Sequence, residues 1–175
     1  MTIRERAISA RECGLMLLVL MLGLKSACAG DLPNPHLTPG VPNPAVTQEN
    51  IGQTVCVKGY TKTIRPPANY TNALKKKQLL QYGYADLNPR DYEEDHLIAL
   101  SIGGAPFDAG NLWPEPRLSE WGAKKKDQLE FVLYKLVCAH QVSLLDAQQA
   151  MASDWISAWK KYVQGRHERR FIKMD

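Results

Sequence analysis

The sequence contains no CxxC pair, no large excess of either charge, and no apolar run long enough to span a bilayer. Without CxxC pairs, a structural zinc site of the usual ligand spacing is not expected. With 22 Lys plus Arg against 18 Asp plus Glu, the formal charge is only +4, too small to specify a partner class by itself. The longest apolar run, GLMLLVLMLGL from Gly14 to Leu24, falls short of the roughly 20 residues a spanning helix needs. Preceded by Arg4, Arg6 and Arg11 and followed by Ala27-Cys28-Ala29, it has the three-part pattern of a secretory signal peptide, cleaved after Ala29. A lipoprotein signal using Cys28 is the competing reading, and Lys25 stands where such a signal wants an apolar residue.

Cleavage would remove residues 1–29, with four basic and two acidic residues, leaving 146 residues and a net charge of +2. That length fits one domain with a modest core. Cys13 and Cys28 would leave with the leader, so Cys56 and Cys138 remain as an even pair in an oxidising compartment, periplasmic or extracellular. A Cys56–Cys138 disulfide is the expectation, and unpaired core cysteines are the alternative.

Residues 30–52 begin with Pro33, Pro35, Pro39, Pro42 and Pro44, which resist helix and central strand alike, so this segment reads as an extended or disordered arm or linker. From Thr54, TVCVKGYTKTIRP alternates β-formers around Gly59 and predicts two short strands or one bulged strand. Thr71 is placed to cap a helix to about Tyr82, with Leu74, Leu79 and Leu80 inward, lysines outward and Gly83 ending it. The spacing of Leu129, Val132, Leu133, Leu136 and Val137 predicts a helix from about Trp121 to Ala139, closed at His140. Ser143 and Asp146 form a capping box for a last helix carrying Met151, Trp155, Ile156 and Trp159. A basic tail occupies 166–175.

The densest chemistry lies in YEEDHLIALSIGGAPFDAGNLWPEP, from Tyr92 to Pro116. A carboxylate such as Asp95 is a hard oxygen ligand suited to Mg²⁺. The adjacent imidazole of His96 can take a proton from water near neutral pH. An amide such as Asn111 can accept a hydrogen bond from one ring nitrogen and leave the other free as a base. A strand, a turn at Gly103-Gly104 and a second short strand containing a buried Trp113 would gather these groups into a hairpin. Because successive strand side chains point to opposite faces, Asp95 and His96 can share one site only at a bulge or strand end.

Glu93, Asp95, His96, Gly103-Gly104, Asn111 and the basic helix that follows resemble the HNH, or ββα-metal, nucleases, in particular small secreted bacterial members. CVKGYTKTIRPP from Cys56 and KKKDQLE from Lys124 extend the resemblance over about Val55 to Trp159. It implies an α+β fold in which a ββα-metal hairpin and helix occupy 53–165 together with a C-terminal helix. It also implies hydrolysis of DNA, or of RNA as well, with one divalent ion, Mg²⁺ or Mn²⁺. Asp95 would be the metal ligand, His96 the general base and Asn111 the residue that orients it. In the family, a His or Asn near the start of the helix completes the metal site, whereas Gly122 and Ala123 stand here. Glu115, Glu120 and Asp127 are the candidate replacements, and water is another. Arg65 and Lys126, the latter near a helix start with free N–H groups, are the candidate phosphate contacts. The alternative is an inactive domain of the same fold that binds nucleic acid or serves a structural role in the cell envelope.

Overall fold

The computed structural model describes residues 30–165 of the 175-residue chain. The expected leader and the basic tail lie outside the described residues. The described chain is mixed helix and strand, with a single two-stranded antiparallel sheet among helices. A short helix α1 (Tyr60–Ile64) and a longer α2 (Ala68–Gln81) precede strand β1 (Tyr92–His96), which pairs with β2 (Leu112–Pro116). Helices α3 (Ala123–Cys138) and α4 (Leu144–Trp159) follow. No helix among the described residues is long and apolar enough to cross a membrane.

The sheet is shorter than its apolar sequence suggests. Pairing runs without interruption from Tyr92 opposite Pro116 to His96 opposite Leu112, so β1 stops at His96 and no bulge intervenes. The apolar run beyond it is buried, as expected, but as a loop. Leu100–Ile102 forms a 3₁₀ turn and Gly103 takes a left-handed conformation at φ 78°. Gly104 then passes so close to the β1 side of the loop that a Cβ there would lie 1.7 Å from the Ile98 carbonyl oxygen. Proline at 114 and 116 is tolerated because each strand of a two-stranded sheet is an edge.

One side of the hairpin packs on α2 through Leu79, Tyr84 and Tyr92, the two tyrosine rings stacked 5.3 Å apart. The larger core joins the hairpin loop to α3 and α4 through Leu97, Ile98, Ile102, Trp113, Leu129, Leu133, Met151 and Trp155. Trp113 is fully buried, as its position in an apolar strand predicts. Helix α3 falls within a residue or two of the predicted bounds, and His140 follows it at φ 54°. Ser143 accepts the backbone N–H of Asp146 at 3.0 Å and opens α4. At Asp154 the backbone leaves helical geometry (φ −160°, ψ 88°), and its carboxylate caps the continuation at the N–H groups of Ile156 and Ser157.

Four local expectations need correction. The segment from Thr54 to Pro67 contains turns and α1, not strands, because Gly59 at φ 89° opens a helical turn and no partner strand lies alongside. Helix α2 begins at Ala68 after Pro67, so Thr71 lies inside it and its hydroxyl bonds back to Ala68 O. The inward face of α2 also differs: Leu80 is 68 % exposed, while Lys75 is buried with its ammonium on Tyr92 O at 3.1 Å. The segment expected to be an extended or disordered arm has turns at residues 35–37 and 44–45 and ends in a 3₁₀ helix, Gln48–Gln53, that buries Ile51; between the turns it lies against the hairpin loop, with Pro42 bridged to Gly104 and Gly40 N–H donated to Gly110 O.

Cys56 and Cys138 form a disulfide across 82 positions, tying the turn before α1 to the last residue of α3. In the chain-entropy description, closing so long a loop stabilises by about 4 to 5 kcal/mol. Replacing both cysteines by serine should lower unfolding stability by about that amount in urea titrations. A loss below about 1 kcal/mol would show that the bridge adds little to the folded chain.

Candidate functional site

Asn111 organises the hairpin loop. Fully buried, it donates from Nδ2 to Ile98 O at 3.0 Å and Ala105 O at 3.1 Å. Its Oδ1 accepts from Ile98 N at 2.9 Å and Val41 N at 3.3 Å. These four bonds use the whole amide, so Asn111 does not accept from the His96 ring as the sequence reading supposed. It bears on the His96 ring only indirectly, by fixing the loop that carries Pro106. Replacing Asn111 with Ala would strand buried backbone groups, at about 1 to 3 kcal/mol each. The variant should therefore lose at least about 3 kcal/mol of stability in denaturant titration, and a near-neutral result would contradict this role.

His96 is 3 % exposed, and its Nε2 lies 3.0 Å from Pro106 O. A carbonyl oxygen only accepts, so Nε2 carries the hydrogen and Nδ1 of the neutral ring keeps its lone pair. Burial lowers the pKa of His96 below the ordinary histidine value; the Pro106 carbonyl and Asp95 oppose that shift, while the charges of Lys126 and Arg65 add to it. The ring is thus held unprotonated in the form a general base requires.

Regular pairing turns Asp95 away from His96 and toward α3, where it meets Lys126. This lysine is fully buried, and its ammonium donates to Asp95 Oδ2 at 2.5 Å, to His96 O at 2.7 Å and to Glu130 Oε1. All three of its protons are used. Burial alone would lower the lysine pKa, but Asp95, Glu130 and Glu115 together raise it well above the ordinary value. Burial would raise Asp95, yet the adjacent ammonium outweighs it and leaves this carboxyl lowered. For Glu130 burial prevails over the same ammonium and pushes the group up to about 7.

Glu115 is fully buried in β2, and no donor reaches either of its oxygens. Burial first, then the negative charge of Asp95, raises its pKa well above the carboxylate range. A shift in that direction favours the neutral carboxyl, whose O–H could be offered to Asp95. On the opposite face of β1, burial pushes Glu94 up to about 8 despite the attraction of Lys75.

The structure therefore brings Asp95, Glu115 and Lys126 of the expected set together and adds Glu130, which sequence reasoning did not single out. The available signal was its position four residues after Lys126 on one helix, a spacing that places the two side chains together. Lys126 cannot meet an external phosphate, because its ammonium is sealed inside. Glu120 and Asp127 are both exposed, and Asp127 is raised by partial burial and the charge of Asp95. Arg65, exposed at the end of α1, has no carboxylate partner among the described residues, and its charge reaches both His96 and Asp127.

These donors do not fit a resident divalent ion as they are arranged. Among the described residues no group of three or more His, Cys, Asp or Glu side chains is disposed to hold a metal. Asp95 and Glu130 instead share an ammonium, and the carboxyl of Glu115, with neither oxygen hydrogen-bonded, is shifted by burial toward its neutral form. No family model, curated protein or solved structure shows significant similarity to this sequence.

Proposed function

We propose that this chain is an exported nuclease that hydrolyses phosphodiester bonds of nucleic acid, DNA in preference to RNA, on a ββα-metal type of hairpin and helix. The observation that carries this reading is His96: it stands at the end of β1, its ring is fixed by a backbone carbonyl through one nitrogen, and its other nitrogen is an unprotonated base. The pinning of the hairpin loop by Asn111 and the approach of α3 to Asp95 support it further. In the mechanism, Nδ1 of His96 takes a proton from water as the water oxygen attacks phosphorus, the P–O bond to the leaving sugar oxygen breaks, and that oxygen takes a proton from solvent water. Arg65, an exposed cation whose charge is felt at that ring, faces the phosphate. Because Asp95 is engaged by Lys126, no step is assigned to an ion held by the protein. An ion that arrives with the substrate phosphate is the form in which Mg²⁺ or Mn²⁺ would take part. The disulfide fits an oxidising, exported setting.

A second reading has its own support: His96 is almost wholly covered, and Asp95 already has a cationic partner. On that reading the fold is an inactive relative of the nucleases that binds nucleic acid or serves structurally in the envelope. Plasmid DNA and single-stranded RNA incubated with oxidised protein, in Mg²⁺, Mn²⁺ or EDTA, separate the two. General-base catalysis contributes about 10²- to 10⁴-fold, so His96→Ala should slow cleavage by about that factor and leave salt-dependent binding intact. Cleavage unchanged by the substitution would remove His96 from the mechanism, and folded wild-type protein that binds without cutting would favour the second reading.

A further inference from the structure

We infer that Lys126 supplies, from the chain itself, the positive charge that the ββα-metal resemblance assigns to a divalent ion, so that Asp95 and Glu130 close on an ammonium and the site is complete without a resident metal. The inference concerns the ligand-free fold and does not depend on whether the site cuts phosphodiesters.

Geometry is the first support. The ammonium lies among Asp95 of β1, the backbone oxygen of His96 and Glu130 of α3, with one proton for each. It thus joins the end of β1 to the helix, the two elements between which a ββα-metal ion would lie. Its side chain has no exposed surface, so this is not one of the solvated ion pairs common on helix faces.

Displacement is the second. For a divalent ion to take Asp95 and Glu130 as ligands, Lys126 would have to give up both carboxylates. A buried ammonium deprived of its partners is strongly unfavourable, and a tethered cation competes at a local concentration that a free ion does not match. Mg²⁺ adds a further obstacle, because it dehydrates reluctantly and prefers sites that leave it several waters, whereas Lys126 and Glu115 are both fully buried.

Charge is the third. One ammonium balances Asp95 and is shared with Glu130, while the two oxygens of Glu115 are buried beside them without a hydrogen-bond partner. Removing the lysine charge while keeping its bulk, as in Lys126→Met, would leave three acidic side chains facing one another with no cation among them. Such a variant should acquire the metal requirement that the wild type lacks.

Thermal unfolding of the oxidised protein, without nucleic acid, tests this. Wild-type melting should be the same in EDTA, millimolar Mg²⁺ and millimolar Mn²⁺. Lys126→Met should melt several degrees lower in EDTA and regain stability in Mn²⁺, and Lys126→Met/Asp95→Asn should lose that rescue. Wild-type stabilisation by either ion that disappears in Asp95→Asn would overturn the inference, as would a folded Lys126→Met variant indifferent to both ions. Should Lys126→Met not fold, water-proton relaxation by Mn²⁺ decides on the wild type. No Mn²⁺ binding beyond that of Asp95→Asn supports the built-in cation, and one equivalent lost in Asp95→Asn contradicts it. Cleavage assays have no part in this comparison, so failure of the nuclease reading would leave its result unchanged.

Discussion

An ammonium sealed from water must place all three of its protons, and in this chain the place found for them joins the strand to the helix. Lys126 reaches from α3 to Asp95, His96 O and Glu130. Two of these acceptors belong to β1, so the position of the helix and the end of the strand are set by one group. The electrostatics follow from it: the adjacent cation lowers Asp95, Glu130 is pushed up to about 7, and burial raises Glu115, whose oxygens no donor reaches. Breaking a buried pair of this kind generally costs about 3 to 5 kcal/mol, a large part of a domain's total stability.

The other face of the hairpin solves a similar problem by different means. A tight loop of buried backbone needs partners for its polar groups, and Asn111 supplies them on both sides while Gly104 permits the close approach. Fixing the loop fixes Pro106 O, and Pro106 O fixes the His96 ring. Asp95 and His96, adjacent in sequence, therefore belong to two supports: α3 holds the carboxylate and the loop holds the imidazole.

Much of this was legible in the sequence, and the failures have identifiable causes. The 3.6-residue spacing of Leu129, Leu133, Leu136 and Val137 gave α3, and the even pair of cysteines gave the disulfide, because periodicity and redox compartment act over many residues at once. Burial of Trp113 and of the LIAL run was also readable, but not that the run is a loop, since buried strand and buried loop share the same apolar composition. The β-formers after Thr54 were misread because strand propensity has no force without a partner strand. Lys75 and Lys126 were harder still. A lysine run gives no hint which member turns inward; that depends on acceptors such as Tyr92 O and Asp95, supplied by a distant part of the chain. The same long-range dependence hid Glu130 and made Lys126 look like a phosphate contact.

Closure of this cluster by Lys126 is the feature on which the remaining interactions depend. A crystal structure of the oxidised protein grown in Mn²⁺, with anomalous data collected at the manganese edge, tests it most directly. The account predicts Lys126 Nζ within hydrogen-bond distance of Asp95 and Glu130, with no manganese peak at either carboxylate. Manganese coordinated by Asp95, with the Lys126 side chain turned away, would contradict it.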